Sequence, residues 1–109
     1  MVHKVLLIKF AALGDVLRTA SLVPAIKDKW KESEITFFTK KEAKELIENV
    51  PDIDRIITYS KGNLGALEKE KFDFVFNLDE DYEACAIATK VKYKELRGYY
   101  LKDGKITPT

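Results

Sequence analysis

Asp15 is the residue best placed to do chemistry in this chain. It closes Ala11-Ala12-Leu13-Gly14-Asp15, a small-residue turn that follows the continuously apolar run Val5-Leu6-Leu7-Ile8. Such a run reads as a parallel strand covered on both faces. Ligands of open α/β sheets bind beyond the carboxyl ends of strands of this kind. A carboxylate there could accept a proton from a substrate hydroxyl. The same aspartate could instead be a plain N-cap of the next helix, contributing about 1 kcal/mol and no chemistry. Either way it takes the place where a helix start would attract phosphate. Neither G-x-G-x-x-G nor G-x-x-x-x-G-K-[ST] occurs, so a dinucleotide-binding module is disfavoured.

A second group of acids, Asp79-Glu80-Asp81, follows an aromatic strand and so belongs at the same sheet edge. It could bind Mg²⁺, or supply the dipole-compatible acids of a helix start. Arg18, three residues after Asp15, could offer a charge to an anionic substrate or simply lie exposed. Lys9 and Thr39-Lys40 also fall near strand ends. Other chemistry is poorly supplied. Cys85, the single cysteine, rules out an internal disulfide or a cysteine zinc cluster, and its setting Ala84-Cys85-Ala86-Ile87-Ala88 reads as a buried small hydrophobe. His3 is the single histidine, which argues against histidine catalysis and a histidine metal site, so no metal and no cofactor are expected.

These groups must be carried by alternating strands and helices. The patterning predicts strands at 4–10, 34–39, 54–59, 72–78 and 95–100, and helices at 15–31, 41–49, 64–70 and 80–92. That alternation implies an α/β, Rossmann-like three-layer fold with a parallel sheet in the order 3-2-1-4-5 and the first strand central. Pro24 should kink the first helix or split it into two short pieces. Ser60-Lys61-Gly62-Asn63 reads as an ordinary loop. Tyr99 and Tyr100 read as packing residues. After the Asp103-Gly104 turn no closing element is expected.

With 109 residues the chain holds one domain at most, and its +1 net charge creates no global attraction to nucleic acid. No run of about 18 apolar residues is present, so an intracellular chain that does not cross a membrane is expected. Abundant Lys and Glu with no Gln hint at a thermophilic source.

Taken together, residues 1–109 resemble the N-terminal domain of the heptosyltransferase family, glycosyltransferase family 9. The resemblance rests on Val5-Leu6-Leu7-Ile8-Lys9 followed by Ala12-Leu13-Gly14-Asp15-Val16-Leu17 and Thr19. It continues through Glu34-Ile35-Thr36-Phe37, through Asn49-Val50-Pro51 to Ile53-Asp54-Arg55-Ile56-Ile57, and through Phe72-Asp73-Phe74-Val75 with Asn77-Leu78. It implies one half of a GT-B architecture: an acceptor-binding Rossmann-like domain, with the nucleotide-sugar-binding domain absent and the chain therefore truncated and inactive alone. It implies transfer of a sugar from an ADP-sugar donor, held by the missing C-terminal domain, to a sugar or lipid-linked acceptor of the lipopolysaccharide inner core. Asp15 would be the base, and Ala12, Gly14, Arg18 and Asp79 would be acceptor-side contacts. A cytoplasmic location follows, with peripheral contact at the inner face of the cell membrane.

Two departures from the family pattern stand out. Ala11 and Ala12 replace the serine or threonine common before Gly-Asp, and Ser21 stands where the family usually has a proline. The competing reading is a receiver-like or other Rossmann-like interaction or nucleotide-binding module without catalysis. Its weakness is that Ile57-Thr58-Tyr59 supplies no acceptor aspartate after the third strand.

Overall fold

The computed structural model describes residues 2–109. Strands β1 (His3–Ile8), β2 (Ser33–Thr39), β3 (Arg55–Thr58), β4 (Lys71–Asn77), β5 (Lys92–Lys102) and β6 (Lys105–Pro108) form one sheet in the order β3-β2-β1-β4-β5-β6. The first five run parallel, as the patterning required, with β1 at the centre. Helices α1 (Leu13–Ala20), α2 (Val23–Lys29), α3 (Lys44–Ile47), α4 (Lys61–Lys69) and α5 (Tyr82–Lys90) make the connections, and a 3-10 turn at Lys41–Ala43 leads into α3.

The unbroken apolar run of β1 is explained by its two covered faces. Leu6 and Ile8 pack with Leu67 of α4 and with Ala84, Ile87 and Ala88 of α5. Val5 and Leu7 pack with Val16 and Ala20 of α1, Val23 and Ile26 of α2, and Ile47 of α3. These four of the six β1 side chains are fully buried.

Several boundaries differ from expectation, each for a local reason. The first strand ends at Ile8, although Phe10 remains buried beyond it. The first helix starts at Leu13, and it divides at Ser21-Leu22 so that Pro24 falls in the first turn of α2. There the missing proline N–H has no partner to lose. Ser60 is a helix cap, its side chain accepting from Asn63 N–H at 3.1 Å, so α4 begins earlier than the apolar pattern indicated. The chain end is not open: Ile106 and its neighbours pair antiparallel with β5 as β6. Asp103 (φ 52°) and Gly104 (φ 74°) form the tight turn between them, both left-handed as a two-residue hairpin requires.

Candidate functional site

Beyond Ile8 the chain enters a turn that its neighbours hold by the backbone. Lys9 N–H donates to the Phe38 carbonyl at 3.2 Å, and the Thr39 hydroxyl donates to the Lys9 carbonyl at 2.7 Å. The Lys9 ammonium donates to the Leu78 carbonyl at 2.9 Å, which gives this lysine and Thr39 structural work in the turn. Asp79 Oδ2 accepts from Phe10 N–H at 2.8 Å and from Ala11 N–H at 3.2 Å. The other Asp79 oxygen accepts from Asp81 N–H at 2.9 Å. Asn77 stands behind this carboxylate. Its Oδ1 accepts from Asp79 N–H at 3.1 Å, and its Nδ2 donates to the Tyr99 carbonyl at 2.9 Å. Cys85, buried as expected, donates its thiol to the Asp79 carbonyl at 3.4 Å, and burial pushes that thiol up from its ordinary range.

Past this anchored turn, Ala11 through Gly14 are exposed. The Ala11–Ala12 peptide is cis. Ala12, extended at φ −79° and ψ 172°, occupies the N-cap position of α1, and no side chain caps the helix. The plain N-cap reading of Asp15 is therefore corrected: Asp15 lies within the first helical turn and spends no side-chain bond on the backbone of the helix start. Its side chain is 46% exposed, and it pairs with the 83% exposed Arg18 guanidinium at 3.4 Å. An ion pair so exposed holds its partners loosely. Gly14 has open space around it, so nothing steric demands glycine there.

Asp79 was expected as an acceptor contact. It is only 7% exposed, and both its oxygens receive backbone N–H groups. Its neighbours are similarly engaged. Asp81 caps α5 by accepting from Ala84 N–H at 3.2 Å, and the Glu80 carboxylate, accepting from the Tyr99 hydroxyl, pushes that phenol up. Among the described residues, no group of three or more His, Cys, Asp or Glu is placed to hold a metal ion.

Phe10, Ala11, Lys40, Asp79, Asp81 and Glu83 line a cavity of about 330 Å³. It lies where the connections from β1 and β4 depart to opposite faces, the usual ligand crevice of a doubly wound sheet. Lys40 reaches Glu83 at 3.2 Å and sits 4.5 Å from the Tyr59 ring centre. A larger hollow of about 470 Å³, beside Leu22, Ile26, Trp30 and Phe76, contains none of the residues singled out from the sequence. Asn77 is a site residue that the sequence reading did not single out; a polar side chain closing the strand Phe72-Asp73-Phe74-Val75-Phe76 is the signal the sequence offers.

No family model and no curated protein sequence matches the chain. Solved structures do match. The glycosyl transferase family 9 structure from Veillonella parvula superimposes with a TM-score of 0.77 at 22% identity, covering 88% of this chain and 31% of that one. The chain has the fold of about one third of that structure. Escherichia coli heptosyltransferase WaaC with ADP matches at a TM-score of 0.76 and 15% identity, over 87% of this chain and 34% of that one. The Escherichia coli ADP-heptose LPS heptosyltransferase II matches at 0.67 and 17%, over 77% of this chain and 27% of that one. The chain thus spans about a third of the length of the structures it matches. No helix among the described residues is long and apolar enough to cross a membrane.

Proposed function

We propose that this chain is the N-terminal, acceptor-binding module of a heptosyltransferase-like glycosyltransferase of GT-B architecture, with Asp15 as its general base. The observation that carries the reading is the state of the Asp15 carboxylate: half-exposed and unspent on the helix cap, just past a turn anchored at the sheet edge. In the reaction, an acceptor hydroxyl oxygen attacks the anomeric carbon of an ADP-sugar. The bond from that carbon to the ADP oxygen breaks, ADP leaves with the electron pair, and the configuration inverts. The hydroxyl proton passes to Asp15. One carboxylate suffices for this displacement, and the chemistry requires no metal from this module.

The donor would be held by a second Rossmann-like domain. A similar protein, WaaC, was solved with ADP and with ADP-2-deoxy-2-fluoro heptose, which supports an ADP-sugar donor. The acceptor is a sugar of the lipopolysaccharide inner core, met on the cytoplasmic side with peripheral contact at the membrane. Ala12 and Gly14 offer exposed backbone beside Asp15, and Arg18 offers a charge for an anionic acceptor group. Titrating the ¹⁵N-labelled chain with a Kdo-containing acceptor saccharide and, separately, with ADP tests the division of labour. Shifts confined to residues 10–18 and 79–83 with the saccharide, and none with ADP, are expected. The reverse pattern would overturn it.

A further inference from the structure

The geometry points to Asp79 as the positioning residue of this site: its carboxylate, not the local sequence of the turn, sets where Asp15 stands. This rests on the reading of Asp15 as the base.

The turn between β1 and α1 has little in its own sequence to define it. Ala11 and Ala12 have no polar side chains, and no side chain caps the helix. Its shape has to be imposed from outside. Two backbone donors, Phe10 N–H and Ala11 N–H, end on the single oxygen Asp79 Oδ2 at 2.8 and 3.2 Å. Bonds from neutral donors to a carboxylate are shorter and stronger than neutral ones. At 7% exposure, little water competes for this oxygen. Asp79 is itself held from three directions. Its own N–H donates to Asn77 Oδ1, its second oxygen receives Asp81 N–H, and its carbonyl accepts from the Cys85 thiol. Asn77 is tied on to the Tyr99 carbonyl of β5. A continuous bonded path therefore runs from β5 through Asn77 and Asp79 to the turn that leads into Asp15.

An asparagine in place of Asp79 cannot reproduce this. Three N–H groups converge on its two terminal atoms: the amide nitrogen either faces Phe10 and Ala11 donor to donor or faces Asp81, and in the second case the neutral oxygen left to Phe10 and Ala11 holds them more weakly than the carboxylate did. A base displaced by about 1 Å can lose about 10²-fold in rate. Loss of position lowers turnover without touching the residues of the second domain that would hold the donor.

The test compares Asp79→Asn with wild type in two ways. Amide hydrogen exchange at Phe10 and Ala11 should accelerate at least about tenfold while the β1 amides of Leu6 and Leu7 keep their protection. In the protein expressed from its full reading frame, kcat should fall about 10²-fold with the KM for ADP-heptose unchanged. Unchanged exchange, or faster exchange with wild-type kcat, would overturn the proposal. Asp15→Asn, run in the same assay, keeps the two failures apart. Full turnover in that variant removes the base reading, while the exchange data still judge what Asp79 holds. If Asp79→Asn does not fold, the wild-type chain provides the decision. A scalar coupling across the hydrogen bond between the Phe10 amide nitrogen and the Asp79 carboxyl carbon is expected, and its absence would overturn the proposal.

Discussion

Gly98 stands opposite Asn77 in the β4–β5 ladder, and the Asn77 carbonyl oxygen occupies the space where a Cβ on Gly98 would be. Gly98 also has φ +104°, which side-chain-bearing residues rarely adopt. Gly98→Ala must therefore either push β4 away or leave its backbone conformation. A loss of about 1–3 kcal/mol from backbone strain alone is expected, with the clash adding to it. Gly104, at φ +74° with open space where a Cβ would stand, is the control. Gly104→Ala should cost only about 1–2 kcal/mol. Urea unfolding of both variants measures the difference, and equal losses would contradict the close approach.

Asp81 and Asp15 are both acids at helix starts, yet only Asp81 caps one. Asp81→Ala removes the acceptor for Ala84 N–H and should cost about 1 kcal/mol, or a melting point lower by about 4–8 °C. Asp15→Ala leaves α1 as uncapped as before and removes a favourable charge in the first turn together with the loose, exposed pair with Arg18. A loss of about half a kcal/mol or less is expected there. Thermal melts at neutral pH check the ranking.

Three carboxylates stitch the amino-terminal edge of the sheet, and each sits below its ordinary value. At Asp73 the bond from Lys4 N–H, at 2.8 Å, leads. At Asp54 burial pushes upward but is outweighed by Ile35 N–H and by the Lys27 ammonium. At Glu70 burial is likewise outweighed, by Arg55 and Lys4, which meet the same oxygen at 2.6 and 2.7 Å. Because the folded values are depressed, the stability they contribute is complete above the unfolded values of 3.8 and 4.5. It is lost as pH falls through the lower folded values. The chain should therefore lose stability steadily from about pH 5 downward. Glu70→Gln should be less stable than wild type at pH 7 and should lose less between pH 7 and pH 3, as urea midpoints at the two pH values would report.

The parallel core was legible because Val5-Leu6-Leu7-Ile8 has no polar face, and only a central strand buries both. Pro24 could likewise be read as a divider of the first helix. What could not be read depended on partners distant in sequence. The true N-cap position, Ala12, carries no side-chain signal, so Asp15 was the natural candidate for a role it does not fill. Asp79 is tied to Phe10 across 69 residues, and spacing along the chain cannot distinguish such an acceptor from a solvent-facing acid. The β6 hairpin strand, Lys105–Pro108, has few apolar residues, and it forms because the Asp103-Gly104 turn returns it to β5.

The most direct measurement of the proposed chemistry is turnover of Asp15→Asn in the protein expressed from its full reading frame, with ADP-heptose and a lipid A–Kdo acceptor. Asparagine keeps the shape of the side chain but cannot take the acceptor proton. General base catalysis typically supplies about 10²–10⁴-fold, so kcat should fall by about that factor while the melting point stays within a few degrees of wild type. Turnover near the wild-type rate would contradict the role given to Asp15.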